Sequence, residues 1–208
     1  MRSEILPISI NDIDDSIYAG FWPRLGSLLL DFIILLPYIF ILQMLNGLSI
    51  SMFYITLLPS LLFSIWYYVY LVKKHGGTPG KLLVGIKIVS KNGADIDLKS
   101  AMMRQIVSII ISIIGSITMI IILQDADNEI YSNLGFWKRN VYIGQLNPSI
   151  LRINSWISNI WIYSELIVLL TNRRRRSIHD FIAKTVVIKA KYHDKIKELQ
   201  MIDVNVSR

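Results

Sequence analysis

The sequence predicts an all-α membrane protein: four transmembrane helices with a small cytoplasmic β element. The first observation behind this is composition. Of 208 residues, 53% are hydrophobic and only 18% are charged, against about 25% charged in an ordinary soluble domain. The second is patterning: the apolar residues gather in long blocks instead of recurring at a helix or strand period. The third is a strongly one-sided distribution of basic residues between those blocks.

Each block is judged against length. At about 1.5 Å per residue, roughly 20 apolar residues cross a hydrocarbon core of about 30 Å. Four stretches meet or approach this, at about residues 27–45, 52–72, 101–123 and 154–170. Pro37 and Pro59 fall inside the first two, where neighbouring helices can re-satisfy the freed carbonyls, so kinks are expected. The fourth is the shortest and is interrupted by Glu165.

Orientation follows from lysine and arginine. The segments before the first block, between the second and third, and after the fourth carry eighteen basic residues; the turn at 46–51 and the loop at 124–153 carry three, Lys138, Arg139 and Arg152. This places both termini in the cytoplasm of a multi-pass protein, expected in a bacterial cell membrane. Aromatic residues sit at the water boundaries: Phe21 and Trp22 before the first span, Trp66, Tyr67, Tyr68 and Tyr70 ending the second, Trp156 opening the fourth. Residues 1–20 are polar and acidic, with no secretory-signal pattern, and read as a retained cytoplasmic segment. Residues 191–208 read as a cytoplasmic tail. The chain has no cysteine, so disulfides and thiolate metal sites are excluded.

The link between the second and third spans reads KKHGGTPGKLLVGIKIVSKNGADIDLKS. Gly76 to Lys81 imitates a phosphate loop but lacks its spacing and the hydroxyl residue after the lysine. Its glycines instead suit a sharp turn at the span exit. Residues 82–90, rich in Val and Ile and ending at Asn92-Gly93, predict a strand and tight turn. Residues 185–190 in the tail predict a matching strand, after a helical turn at 177–183.

Four features in this order resemble the RDD family of small integral membrane proteins. They are Arg24 with Asp31 seven residues on; the GxTxGK turn running into a strand and an NG turn; Arg104 early in the third span; and the tail RRSIHDFIAKTVVI, Arg175 to Ile188. The resemblance covers roughly residues 18–123 and 154–190, within a membrane domain of residues 21–190. It puts the family's arginine on Arg24 and its two aspartates on Asp31 and Asp180. The loop 124–153 is long for the family, and Glu165 belongs to none of its motifs. The resemblance implies a function that is largely undefined, with transport of an unknown ligand, or ion or proton exchange, suggested for members.

Charges inside spans cost about 2.5–3.5 kcal/mol at a helix centre and tend to mark paired or functional sites. Arg24 and Asp31 are two helical turns apart, on one face. Asp31 and Glu165 both come out about 10 Å deep from the cytoplasmic side, with Arg104 nearby. The plain reading is an interhelical ion-pair cluster of Arg24 and Arg104 against Asp31 and Glu165. The functional reading is a proton- or cation-coordinating site built on the same carboxylates. Ser108, Ser112 and Ser116 recur every four residues, a close-packing seam that suits either the protein's own core or a homo-oligomer.

In the tail, Ser177 suits a helix N-cap with Asp180 at N3, a capping box; His179 and Asp180 are expected to dock the tail. Arg173, Arg174, Arg175 and Arg176 directly follow a span, where each gains about 1 kcal/mol near an anionic leaflet, so they read as lipid-headgroup anchors. A net charge of +7 also raises nucleic acid, but no supporting fold signature or stacking pattern accompanies it. No metal, cofactor, catalytic or enzymatic role is expected. The sequence therefore points to a transporter-like membrane protein for an unknown small ligand or ion; the alternative is a non-transport accessory or scaffold subunit binding anionic lipid or a partner.

Overall fold

The computed structural model describes Leu6 and residues 16–198. The acidic residues of the N-terminal segment, Glu4, Asp12, Asp14 and Asp15, and residues 199–208 of the tail lie outside the described residues. Four helices are long and apolar enough to cross a membrane: Phe21–Leu48, Ile50–His75, Leu98–Gln124 and Pro148–Thr171. Helix continues through Pro37 and Pro59. The fourth span starts six residues earlier than its apolar stretch suggests, because Pro148 suits the first turn of a helix and Asn147 Oδ1 accepts from Ile150 N at 3.2 Å. Trp156 consequently lies within this helix instead of opening it.

The chain divides into two compact units, one made of Met1–Ile34, Trp66–Gln105 and Ser164–Arg208, the other of Leu35–Ile65 and Ile106–Tyr163. The first unit contains the sheet. Strand β1, Ile86–Ser90, pairs antiparallel with β2, Thr185–Lys189, from Ile86 opposite Lys189 to Ser90 opposite Thr185. The strand expected from residue 82 begins only at Ile86. Pro79 instead starts a short helix, Pro79–Leu83, after an extended Thr78, and Gly85 turns the chain at φ 74°. At the other edge of β2, Tyr18 bridges Ile188, with hydrogen bonds from Ala19 N to Val187 O and from Lys189 N to Ile17 O.

β2 is covered on both faces, which explains its unbroken apolar run. Val186 and Ile188 pack with Leu6, Ile17, Tyr18, Val89 and Ile196; Val187 packs with Ala19, Val69, Val72, Ile86, Ile88, Ile96 and Ala101. Each fully buried Val or Ile contributes about 1.5–3 kcal/mol. The second span ends in this unit. It passes through a π-helical turn at Trp66–Tyr70 and stops at Gly76, whose φ of 78° closes the helix with a bond to Val72 O.

The second unit holds the link between the first two spans and the long loop before the fourth. That loop is not a plain connection: it folds as Asn128–Asn133 and Phe136–Leu146. Asp127 caps the first of these helices. Arg139 donates to the carbonyls of Gly47, Tyr131 and Leu134, which places a cation on the open carbonyl end of the first span. Ile122, Leu123, Tyr131 and Ile143 form this unit's buried cluster.

Candidate functional site

The charged residues singled out in the sequence all belong to the sheet-bearing unit, where they form two adjoining groups with pairings that differ from the expected ones. Asp31, buried on the first span, does not meet Arg24. Its Oδ1 accepts from Tyr67 Oη at 2.7 Å and from Gly80 N at 2.8 Å; its Oδ2 accepts from Thr78 Oγ1 at 2.5 Å. Lys81 Nζ stands 3.9 Å from Oδ2 and also donates to Thr78 Oγ1 at 3.3 Å. Burial, then the nearby Arg104, push the Lys81 ammonium down to about 8 despite the opposing pull of Asp31.

The glycine-rich turn is thus a cradle for a carboxylate, not for a phosphate. Gly80 is required by space: a Cβ there would lie 2.4 Å from Ser27 O and 2.7 Å from Asp31 N. Tyr67 reaches Asp31 from the π-helical turn, a local irregularity of the kind that re-aims side chains at sites.

The second group centres on Asp180, which is fully buried. Its Oδ2 takes Arg24 Nη1 at 2.8 Å and Ser177 N at 3.1 Å, completing the capping box of the helix Ile178–Ile182; its Oδ1 takes Arg104 Nη1. Burial alone would raise this carboxyl, but Arg104 and Arg24 hold it well below the usual carboxylate range. Arg24 also donates to Arg175 O at 2.5 Å and Ala19 O at 3.3 Å, and Arg104 to Thr185 Oγ1 at 2.7 Å.

Glu165 pairs with histidine instead of an arginine. Its Oε1 accepts from His179 N at 2.8 Å and its Oε2 lies 2.5 Å from His179 Nδ1. The other ring nitrogen, Nε2, lies 2.7 Å from Arg104 Nη2. A guanidinium only donates, so Nε2 accepts and the imidazole proton sits on Nδ1, facing Glu165. Burial and Arg104 hold His179 below the ordinary histidine value. The result is a continuous sequence of contacts, Glu165–His179–Arg104–Asp180–Arg24, joining three span ends to the tail.

The expected four-residue cluster is therefore corrected. Asp31 is satisfied by the turn at residues 78–81, and both arginines converge on Asp180, which the sequence places 149 positions further along the chain than Asp31. The arginine run is corrected as well. Arg173 and Arg175 are exposed and Arg174 is half-buried, but Arg176 is buried. Arg176 donates to Thr185 O at 3.1 Å and Asp180 O at 3.0 Å and covers the Phe181 ring, its guanidinium carbon 4.0 Å from the ring centre. It serves the interior, not a headgroup. Sequence reasoning missed Tyr67, Thr78, Gly80 and Lys81 as partners of Asp31. The GxTxGK spacing was their signal; Tyr67 was hidden among boundary aromatics. No group of three or more His, Asp or Glu able to hold a metal occurs among the described residues.

Comparison with known proteins adds two findings. The model of the RDD family matches residues 18–184. "Uncharacterized protein YckC" of Bacillus subtilis (strain 168) is 38% identical over 95 residues, which cover 43% of this chain and 58% of that relative, so the matched part spans less than two thirds of it. No solved structure matches.

Proposed function

The chain belongs to the RDD family, and from that premise we propose that it is a non-transporting accessory or scaffold protein of the membrane, its span-end charges acting as a clamp for the tail. One observation carries this reading. The carboxylates of the cluster are held by protein groups: Asp31 by three hydrogen bonds and Lys81, Asp180 by two arginines and a backbone amide, and Glu165 by the His179 backbone on Oε1, with the His179 ring against an Oε2 that has no hydrogen bond of its own among the described residues. A site that loads and releases an ion needs ligand positions that open, and breaking one partner from a buried pair costs about 3–5 kcal/mol. Both termini face the cytoplasm of the cell membrane, as the basic-residue asymmetry supports. There the exposed Arg173 and Arg175 meet anionic headgroups. The role is not enzymatic.

A second reading, proton-coupled transport, is favoured by the Glu165–His179 contact, since a neutral imidazole against a carboxylate can carry a proton. Flux in proteoliposomes under imposed proton, Na⁺ and K⁺ gradients separates the two. The clamp predicts no flux in wild type, and loss of folded yield in Asp31→Asn and Glu165→Gln. Flux in wild type that vanishes in well-folded Glu165→Gln would overturn it in favour of transport.

A further inference from the structure

The fourth span carries an amide where lipid cannot answer it. Asn159 lies midway along Pro148–Thr171, is exposed, and has no hydrogen-bond partner among the described residues. Serines elsewhere in the spans can satisfy themselves on their own helix, as the half-buried Ser116 does by donating to Ser112 O. An asparagine carries two donors and two acceptor lone pairs and cannot be satisfied that way. The other exposed amide or charged side chains of the spans, such as Gln43, Lys73, Lys74, Gln124 and Arg152, stand within a turn or two of a helix end, where water and headgroups reach them. Asn159 has no such outlet.

The surroundings of Asn159 form a face suited to another helix. Ser155 and Tyr163, four residues to either side, are also exposed and share its stripe; Trp156 and Ile160 flank it, 64% and 63% exposed. A small residue beside a polar one on an otherwise apolar helix is the pattern by which spans associate.

We propose that this stripe is the contact surface for a second copy of the same chain, with the Asn159 amides of the two copies hydrogen-bonded to each other. The argument for a second copy is self-complementarity. An amide is both donor and acceptor, so two of them related by a two-fold axis satisfy each other without any further group. Copies inserted in the same direction share an axis along the membrane normal, which sets Asn159 against Asn159 and Ser155 against Ser155. This pairing uses none of the clamp residues and holds whichever functional reading is correct.

The absence of cysteine from the chain makes the test clean. Ser155→Cys and Leu58→Cys are each introduced singly, oxidised in native membranes, and resolved by non-reducing electrophoresis. Leu58 is another exposed position (64%), on the second span, and reports random collision. Ser155→Cys should give a cross-linked species of twice the monomer mass well above the Leu58→Cys level. Adding Asn159→Leu to Ser155→Cys should lower its yield about tenfold, with monomer abundance unchanged. Cross-linking no greater than at Leu58, cross-linking indifferent to Asn159→Leu, or a product joined to a different protein would each overturn the proposal.

Discussion

At the scale of single residues, Asp180 is the most consequential group in the sheet-bearing unit, because it neutralises two arginines away from water. Asp180→Ala leaves both guanidiniums without a counter-charge and is expected to cost about 3–5 kcal/mol, read as a loss of folded yield and a lower melting temperature in detergent. Gly80 acts through space alone. Gly80→Ala drives a methyl into Ser27 O and the Asp31 backbone, with an expected cost of about 1–3 kcal/mol; the same substitution at Gly144, which has open space inside the helix Phe136–Leu146, should be neutral or slightly stabilising in the same melt. Asp31 was visible in the sequence as a charge inside a span, and Asp180 as a capping residue of the tail. Their partners were not, because hydrogen bonding between residues as distant as Arg24 and Asp180 leaves no local pattern to read.

At the scale of elements, His179 ties the tail helix Ile178–Ile182 to the fourth span through Glu165 and to the third through Arg104. Since His179 is held below its ordinary value of 6.5, the folded chain takes up this proton later on acidification than the unfolded chain does. Acid therefore favours unfolding: stability should fall as pH drops below about 6.5. Asp180 adds the same sign of effect only in stronger acid, below 3.8. Melting temperature should thus decline as pH falls below about 6.5 in wild type, and His179→Gln should flatten that decline; an unchanged slope would show that His179 is not the titrating group. The strands were legible as short β-branched runs, and their pairing followed from there being one partner for each. The start of β1 was misplaced by four residues because Pro79 and Gly85 impose a helical turn that the apolar run conceals. The two helices of the long loop were not anticipated, since the capping of Asn128–Asn133 by Asp127 is local and their burial is not.

At the scale of the whole molecule, four candidate spans and the orientation proposed from the basic residues make a topological prediction. A cysteine placed at Asn92 should react with a membrane-impermeant maleimide only after permeabilisation, and one at Lys138 should react in intact cells; the reverse pattern would invert the orientation proposed from the basic residues. The order of residues along the chain was enough for the class of protein, the number of spans, the presence of a paired strand element and the family resemblance. Each of these rests on composition or on spacing along the chain, and hydrophobic length and charge asymmetry act without reference to what lies nearby. Which charge meets which came from the folding of the chain in three dimensions. It turned Asp31 towards a glycine turn, brought Arg24 and Arg104 together on Asp180, withdrew Arg176 from the surface and left Asn159 facing outwards. Side-chain electrostatics at distances of 2.5–3 Å depends on through-space neighbours, and those are set by how the ends of three spans and the tail come together, which no one-dimensional spacing records.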